Sequence, residues 1–547
     1  MRHVTLALGV IFLACCPLRA QDRRATTVRG LGTITFPVST GVAAARQSFV
    51  RGVLLLHLFE YSDAAAAFRE AERLDVSFAM AYWGEAMTYD HPVWNEQDVD
   101  AGRAALLKLA PTPAERAAKV STARERAYLG AVELLYADGP KPRRDTLYSA
   151  AMGSLSRAYP RDDEARLFHA LSLLALSQGV RNVRTYLRAG AIAKGVFVRN
   201  PSNPGASHYL IHAVDDPNHA STGLAAARAL AGLSADADHA QHMTSHIFVA
   251  LGMWDDVVRA NETAVRVVNA MLQRRNRGPF YCRHYNVWLD YGYVQLGRLA
   301  DAARLLERCR DQAAGARGTA EGPDLETYSL ITMWSHYLLA TGNWVDSVAR
   351  WRIDPGQGLG PRLTYWFTSG FGAARRGDLA TARMALSTFE QAERETEAWI
   401  AASAESSADQ PELPRARVLH AELEGLIAAG EGRIDEELKQ LRQATLMEDS
   451  MVDAFGPPFV NQPSHELLGT ELLRLHRFGD ALTQFRLALK RAPRRTAALL
   501  GFARAAAALG DTLVARRTYG ELAANWRQAD PGQRDVAEAT EYLHRRE

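Results

Sequence analysis

The stretch Ser464–Pro493, SHELLGTELLRLHRFGDALTQFRLALKRAP, decides the fold class of this chain. Its apolar residues recur at spacings of three and four, which is typical of amphipathic helices. The small residues Gly469 and Ala481 lie where two helices can approach each other closely. Similar runs fill most of the sequence, separated by short turns such as LGMW, LGRL, TGNW and RRGD. Helices joined by tight turns predict a string of antiparallel helical hairpins.

These hairpins recur with a period of about 34 residues, which is the spacing of tetratricopeptide repeats. The chain resembles the tetratricopeptide repeat family at Gly52, Leu55, Ala64, Phe68, Ala71, Trp366, Gly370, Ala373, Gly377, Leu468, Gly469, Ala481, Phe485, Ala488 and Pro493. The resemblance extends from about Ala45 to Trp526. It implies an all-α fold, an α-solenoid of roughly ten to twelve stacked antiparallel helical hairpins in a right-handed superhelix.

A narrower resemblance links HYLIHAVDDP and HAQHMTSHIFVALGMW to a group of exported bacterial tetratricopeptide proteins. That group has no assigned biochemical role, so this resemblance supports the fold and leaves the function open.

The N-terminus predicts export. Arg2 and His3 precede an apolar run from Val4 to Cys16, the pattern of a secretory signal peptide ending near Ala20. The run is too short to span a bilayer, and we expect no transmembrane segment after signal cleavage. We therefore expect a periplasmic or secreted protein, with lipid attachment at Cys15 as the alternative. The net charge of +2 gives no indication of nucleic-acid binding.

The repeat frame divides the chain into consecutive segments. After the signal peptide at 1–20 and an extended segment at 21–44, we expect N-terminal repeats at 45–200 with an insertion near 90–120. Central histidine-rich repeats follow at 201–350, C-terminal repeats at 351–530 and a tail at 531–547.

Histidines repeat within the central segment. His208 and His212 occupy positions five and nine of one repeat, and His242 and His246 occupy the same positions one period later. In the family, positions two, five and nine of the first helix line the concave groove. The resemblance therefore implies a ligand-binding groove lined by His208, His212, His239, His242, His246 and His284.

Three interpretations of these histidines remain open. A groove could bind a peptide, a protein partner or a small molecule through its polar side chains. Alternatively, His208, His212, His242 and His246 could converge on one metal ion, zinc or copper, because side chains at i and i+4 share a helix face. Asp215 or Asp216 would then hold an imidazole in place. A purely structural cluster is the third interpretation.

The spacing cannot tell a closed site of four protein ligands from an open site of three. Sequence motifs of the common catalytic classes are absent, so enzymatic activity stays an open question.

After signal cleavage, only Cys282 and Cys309 remain. In the repeat frame they lie near the start of a first helix and the end of the following helix, which antiparallel packing brings together. Either they form a disulfide bond, or they are two separate core residues.

Overall fold

The computed structural model describes residues 24–177, 181–316, 324–402, 412–452 and 455–545, so the expected signal peptide lies outside the described residues. These residues form two compact units. The first comprises the described residues of Met1–Val28, Thr33–Leu56 and Tyr61–Leu176, and the second those of Arg29–Gly32, His57–Glu60 and Ser177–Glu547.

Up to residue 176, the chain has four short strands and eight α-helices. The strands are β1 (Thr26–Val28), β2 (Gly32–Ile34), β3 (Asp90–His91) and β4 (Glu96–Gln97), and β3 pairs antiparallel with β4. The helices are α1 (Ala43–His57), α2 (Tyr61–Leu74), α3 (Ala79–Met87), α4 (Val99–Leu109), α5 (Pro113–Ala118), α6 (Ala123–Leu135), α7 (Lys141–Ala158) and α8 (Asp163–Ala175).

The second unit is also helical. It contains α9 (Val183–Arg199), α10 (Pro204–Val214), α11 (Leu224–Leu233), α12 (Asp238–Ala250), α13 (Trp254–Arg274), α14 (His284–Gln295), α15 (Leu299–Ala316), α16 (Asp324–Thr341), α17 (Leu359–Arg375), α18 (Leu379–Ala402), α19 (Glu412–Gly430), α20 (Ile434–Ser450), α21 (Ser464–Arg474), α22 (Phe478–Arg491), α23 (Thr496–Ala508), α24 (Thr512–Asn525) and α25 (Arg534–His544). Short 3-10 helices lie at Ala220–Gly223, Val348–Arg350 and Trp526–Gln528.

A phenylalanine held between two glycines sets the spacing of the hairpins. A Cβ atom added to Gly469 or Gly501 would lie 3.0 Å or 2.1 Å from the ring of Phe485, so this ring fills the space that both glycines leave. In the first unit, Phe68 lies in the same way between Gly52 and Gly84, at 2.7 Å and 2.3 Å from the added Cβ atoms. The repeat positions identified in the sequence therefore carry the contacts between successive helices.

The all-α prediction is confirmed. Consecutive helices such as α12 and α13, or α21 and α22, pack as pairs. The first helices of neighbouring pairs also contact each other, as α10 with α12 and α14 with α16. In the segment predicted as a C-terminal tail, α25 packs against α24.

The C-terminal hairpins of the second unit also contact its central repeats. The indole Nε1 of Trp254 donates a hydrogen bond to the carbonyl of Arg494 (2.9 Å), and the backbone N–H of Thr496 donates to Gln295 Oε1 (2.9 Å). Within the described part of the chain, no helix has an apolar stretch long enough to cross a membrane.

Replacing Gly501 by alanine tests the spacing role of the glycines. The new methyl group would collide with the Phe485 ring, so we expect the free energy of unfolding to fall by about 1–3 kcal/mol. Gly520, inside α24, is the matched control because a Cβ atom there meets nothing within 4 Å. Gly520→Ala should stabilise the protein by roughly 0.5–1 kcal/mol. Urea unfolding followed by circular dichroism measures both changes, and equal effects of the two substitutions would contradict the packing argument.

A disulfide bond joins Cys282 to Cys309 in the structure, with Cα atoms 4.5 Å apart and a sequence separation of 27. Both cysteines are fully buried. Cys282 comes two residues before α14, and Cys309 lies within α15. The bond therefore fixes the start of α14 to the helix that follows it.

Peptide mapping of the protein without reduction should yield one cross-linked peptide containing Cys282 and Cys309. Replacing both residues by alanine should lower the free energy of unfolding by about 3 kcal/mol, because a loop of this length then regains its freedom in the unfolded chain. Wild-type protein under reducing conditions is the control and should unfold like the double variant. Two free thiols in the unreduced native protein would rule out the bond.

Candidate functional site

The six histidines that the sequence predicts for a groove lie at the start and along the length of three stacked helices. Helix α10 begins at Pro204, where the side chain of Asn203 accepts the N–H of Ala206 (3.3 Å). A proline at the first helical position is typical of helix starts. This start sets the register that directs His208 and His212 into the protein, where both are buried.

The first histidine cluster consists of His208 and His212 from α10 and His239 from the start of α12. One ligand nitrogen from each residue lies within 4.8 Å of the other two. The Nε2 atoms of His208 and His212 are 3.2 Å apart. The ring of His239 lies 5.2 Å from that of His208, measured between centroids.

The second histidine cluster repeats this arrangement one hairpin later. It consists of His242 and His246 from α12 and His284, the first residue of α14, again with one nitrogen each within 4.8 Å. The Nε2 atoms of His242 and His246 are also 3.2 Å apart. His284 is exposed, whereas His242 and His246 are buried.

Hydrogen-bond acceptors hold the outer nitrogens of three of these rings. His242 Nδ1 donates to Asn261 Oδ1 (2.7 Å), and the Asn261 amide N–H in turn donates to the carbonyl of Val257 (2.9 Å). His246 Nδ1 donates to Asp215 Oδ2 (2.5 Å).

In the first cluster, His208 Nδ1 donates to the backbone carbonyl of His57 (2.7 Å). Each of these three acceptors assigns a proton to Nδ1, so that Nε2 carries the lone pair in the neutral form of the ring.

The protein surroundings keep most of the imidazoles neutral. Loss of hydration lowers the pKa of the buried His208 to about 3. The same cause lowers the pKa of His212, His239 and His242 well below the ordinary value for histidine. Neutral imidazole is the form that binds metal ions.

Aromatic rings enclose both clusters. Phe59 packs against all three rings of the first cluster, with its centroid 4.3 Å from that of His208. In the second cluster, Trp288 stacks on His246 at 4.3 Å, and Phe455 stacks on His246 at 5.4 Å. The backbone of Phe59 has a φ of 60°, an uncommon conformation for a bulky residue, at the turn after α1.

The two clusters are neighbours. The ring centroids of His212 and His246 are 6.1 Å apart, and those of His239 and His242 are 6.4 Å apart. Since α10 and α12 are packed first helices, the repeat that duplicates the histidines also places the two groups side by side.

The structure brings all six predicted groove histidines together but groups them differently from the expected metal site. We expected His208, His212, His242 and His246 to share one ion. Instead, each i, i+4 pair is completed by a histidine at the start of the next first helix. The reason is that the start of the next first helix comes closer to each pair than the next pair does. The ring centroids of His208 and His239 are 5.2 Å apart and those of His242 and His284 are 4.6 Å apart, whereas those of His212 and His246 are 6.1 Å apart.

The structure also shows the partners of the two acidic residues that were predicted to support the site. Asp215 holds an imidazole, that of His246 in the next repeat, whereas Asp216 pairs with Arg181 (2.7 Å) and His219 (2.8 Å). A further histidine, His336 on α16, was not among the predicted site residues; it belongs to neither cluster, and its Nδ1 lies 3.8 Å from Asp290 Oδ2.

Several contributors were not identified from the sequence. Asn261, the His57 carbonyl, Phe59 and Phe455 contact the clusters from other helices or turns. Of these residues, only Phe59 could have been recognised from the sequence, because it occupies a turn position at which several other hairpins have glycine.

Comparisons with known proteins bear on the fold alone. No protein-family model and no curated protein matches the chain. The solved structure of the APC/C hetero-tetramer Cut9–Hcn1 is similar at 12% identity over 92% of this chain and 76% of that chain, with a TM-score of 0.29. Yeast Tom70 is similar at 14% identity over 91% and 94% of the two chains (TM-score 0.26), and the P58(IPK) TPR domain at 11% over 86% and 99% (TM-score 0.22).

These scores are too low to carry an argument, and the fold assignment rests on the chain itself. The 34-residue period and the phenylalanine–glycine contacts between successive first helices are its evidence. The fold is of the tetratricopeptide-repeat type. The narrower resemblance to exported bacterial proteins stays a prediction.

Proposed function

We propose that the second unit binds a transition-metal ion, zinc or copper, through His242, His246 and His284. The observation that carries this proposal is the pair of facing Nε2 atoms of His242 and His246. Both rings donate their Nδ1 proton outward, to Asn261 and Asp215. Their Nε2 atoms therefore face each other across 3.2 Å, a contact that is repulsive unless a proton or a metal ion lies between them.

The separation of these nitrogens suits a metal ion. Zinc–nitrogen bonds of about 2.0–2.1 Å at a tetrahedral angle place two ligand nitrogens about 3.3 Å apart. The observed 3.2 Å is close to that value. The carboxylate and amide that hold the two rings are the usual partners of metal-binding histidines, because they fix the ring orientation and raise the basicity of the ligand nitrogen.

His465 shows what a structural histidine in this chain looks like. Its Nδ1 contacts Gln484 Oε1 (2.6 Å) and its Nε2 contacts Asp449 (3.1 Å), so both nitrogens have oxygen partners in the protein. The inner nitrogens of His242 and His246 instead have each other. This contrast favours a ligand role over a packing role.

Three protein ligands would leave one coordination position for water or another molecule. Sites of this kind are open, whereas sites with four protein ligands are closed and structural. The proposed site therefore has the composition of an exchangeable or reactive centre. Imidazole ligands suit zinc and copper equally well.

The other function expected from the sequence is capture of a peptide or protein segment by the histidine groove. In the structure, Trp288 and Phe455 already pack against His246. The second cluster is thus partly covered by the chain itself, which favours a small ion there over a peptide. Binding of a protein partner elsewhere on the helical array stays a prediction.

Metal analysis of protein purified without a histidine tag tests the proposal. We expect a bound ion in the wild type, and in His284→Ala a loss of affinity larger than the roughly 10–100-fold effect of removing a supporting residue. His284 is exposed, so its truncation should leave the fold intact, and His544→Ala, at the end of α25, is the control. His242→Gln provides a second test at a buried ligand. Equal metal content in all four proteins, or none in the wild type under metal-replete conditions, would refute the site.

Asn261 should act as a positioning residue for His242. In Asn261→Ala the Nδ1 proton loses its acceptor, so we expect metal affinity to fall roughly 10–100-fold. Asn261→Asp keeps an acceptor at the same place and should restore most of the affinity. Competition titration with a zinc chelator measures both variants. A loss of the same size in both would point to a packing effect at this buried position instead.

A further inference from the structure

We infer that the first histidine cluster, His208, His212 and His239, holds a second metal ion, so that the protein carries a pair of neighbouring metal sites. This inference rests on the proposed function, because the first cluster is interpreted by the same chemistry. Its evidence is nevertheless separate and comes from different residues.

The first evidence is the repeated arrangement. In each cluster a first helix supplies two histidines one turn apart, and the start of the next first helix supplies the third. The two chain connections differ in length: four residues lie between α11 and α12, but nine lie between α13 and α14. Despite this difference, His239 and His284 reach equivalent places. The shared feature is therefore the three-histidine set itself.

The second evidence is the geometry of the inner nitrogens. His208 Nδ1 donates to the backbone carbonyl of His57, which can only accept, so His208 Nε2 carries a lone pair. This lone pair faces His212 Nε2 at 3.2 Å, the same separation as in the second cluster. The packing around His57 is specific, because Gly205 has no side chain and a Cβ atom there would lie 2.5 Å from His57 Nδ1.

The adjacency of the clusters determines how two ions would interact. A metal bound to His212 and one bound to His246 would lie at most about 12 Å apart, given metal–nitrogen bonds of about 2 Å and the ring centroids at 6.1 Å. At such a distance, two cations repel each other in a protein interior. The second ion should therefore bind more weakly than the first, and singly charged Cu⁺ should fill both sites more readily than Zn²⁺.

The order of filling follows from the charges that hold the rings. The second cluster includes His246, whose Nδ1 is held by the carboxylate of Asp215. In the first cluster, the acceptor that holds His208 is a neutral backbone carbonyl. The negative charge near the second cluster favours a cation there, so this cluster should fill first.

The experiment is a metal count in single-cluster variants of the full chain. Cu⁺ and, separately, Zn²⁺ are titrated into wild type, His239→Ala, His284→Ala and the double variant, and the bound metal is measured after gel filtration. We expect two Cu⁺ ions in the wild type, one in each single variant and none in the double variant. His212→Gln should repeat the result of His239→Ala, and circular dichroism checks that each variant is folded.

A second measurement reports on distance. Electron paramagnetic resonance of the wild type loaded with Cu²⁺ should show dipolar broadening, which His239→Ala should abolish. One ion in the wild type, unchanged in His239→Ala and lost in His284→Ala, would overturn the second site and leave the proposed function standing. No bound ion in any protein would refute both.

Discussion

The constraint on which the second unit depends is the close approach of neighbouring first helices, and in its C-terminal hairpins a phenylalanine ring seated between two glycines permits this approach. Phe485 occupies the space left by Gly469 and Gly501, where an added Cβ atom would lie 3.0 Å or 2.1 Å from the ring. Such contacts fix how closely neighbouring first helices lie and at what rotation. Residues at equal positions in successive repeats then face the same way. A histidine pair that is useful in one hairpin is consequently presented beside its copy in the next.

The helical array and the residues of the candidate site could be predicted from the sequence. Helical periodicity and a constant repeat length are local properties, and they identified His208, His212, His242 and His246 as two equivalent pairs. The same frame placed His239 and His284 at position two. The repeat frame could not predict that the six histidines form two clusters of three. That grouping depends on how far the start of each first helix extends toward the preceding first helix. The reach of His284 also depends on the connection after α13, which has no repeat pattern.

The supporting residues could not be predicted from the sequence, for a different physical reason. Asn261 lies on a second helix, and Phe455 lies more than 200 positions from the ring it stacks on. Asp215 was expected to hold an imidazole of the site, and the imidazole that it holds, that of His246, belongs to the following hairpin. A sequence pattern describes each repeat separately. The candidate site lies in the contacts between repeats, where side chains of one hairpin complete the environment of another.

The disulfide bond between Cys282 and Cys309 has a consequence for how the protein matures. Cys282 is two residues from His284, so the covalent link anchors the backbone that presents this imidazole. A newly made chain with two thiols would hold His242 and His246 on their helix but leave the third donor loosely tethered. For the proposed metal site, assembly would then proceed in a set order, with thiol oxidation preceding full metal loading. The compartment in which the chain folds would thereby control when the centre becomes complete.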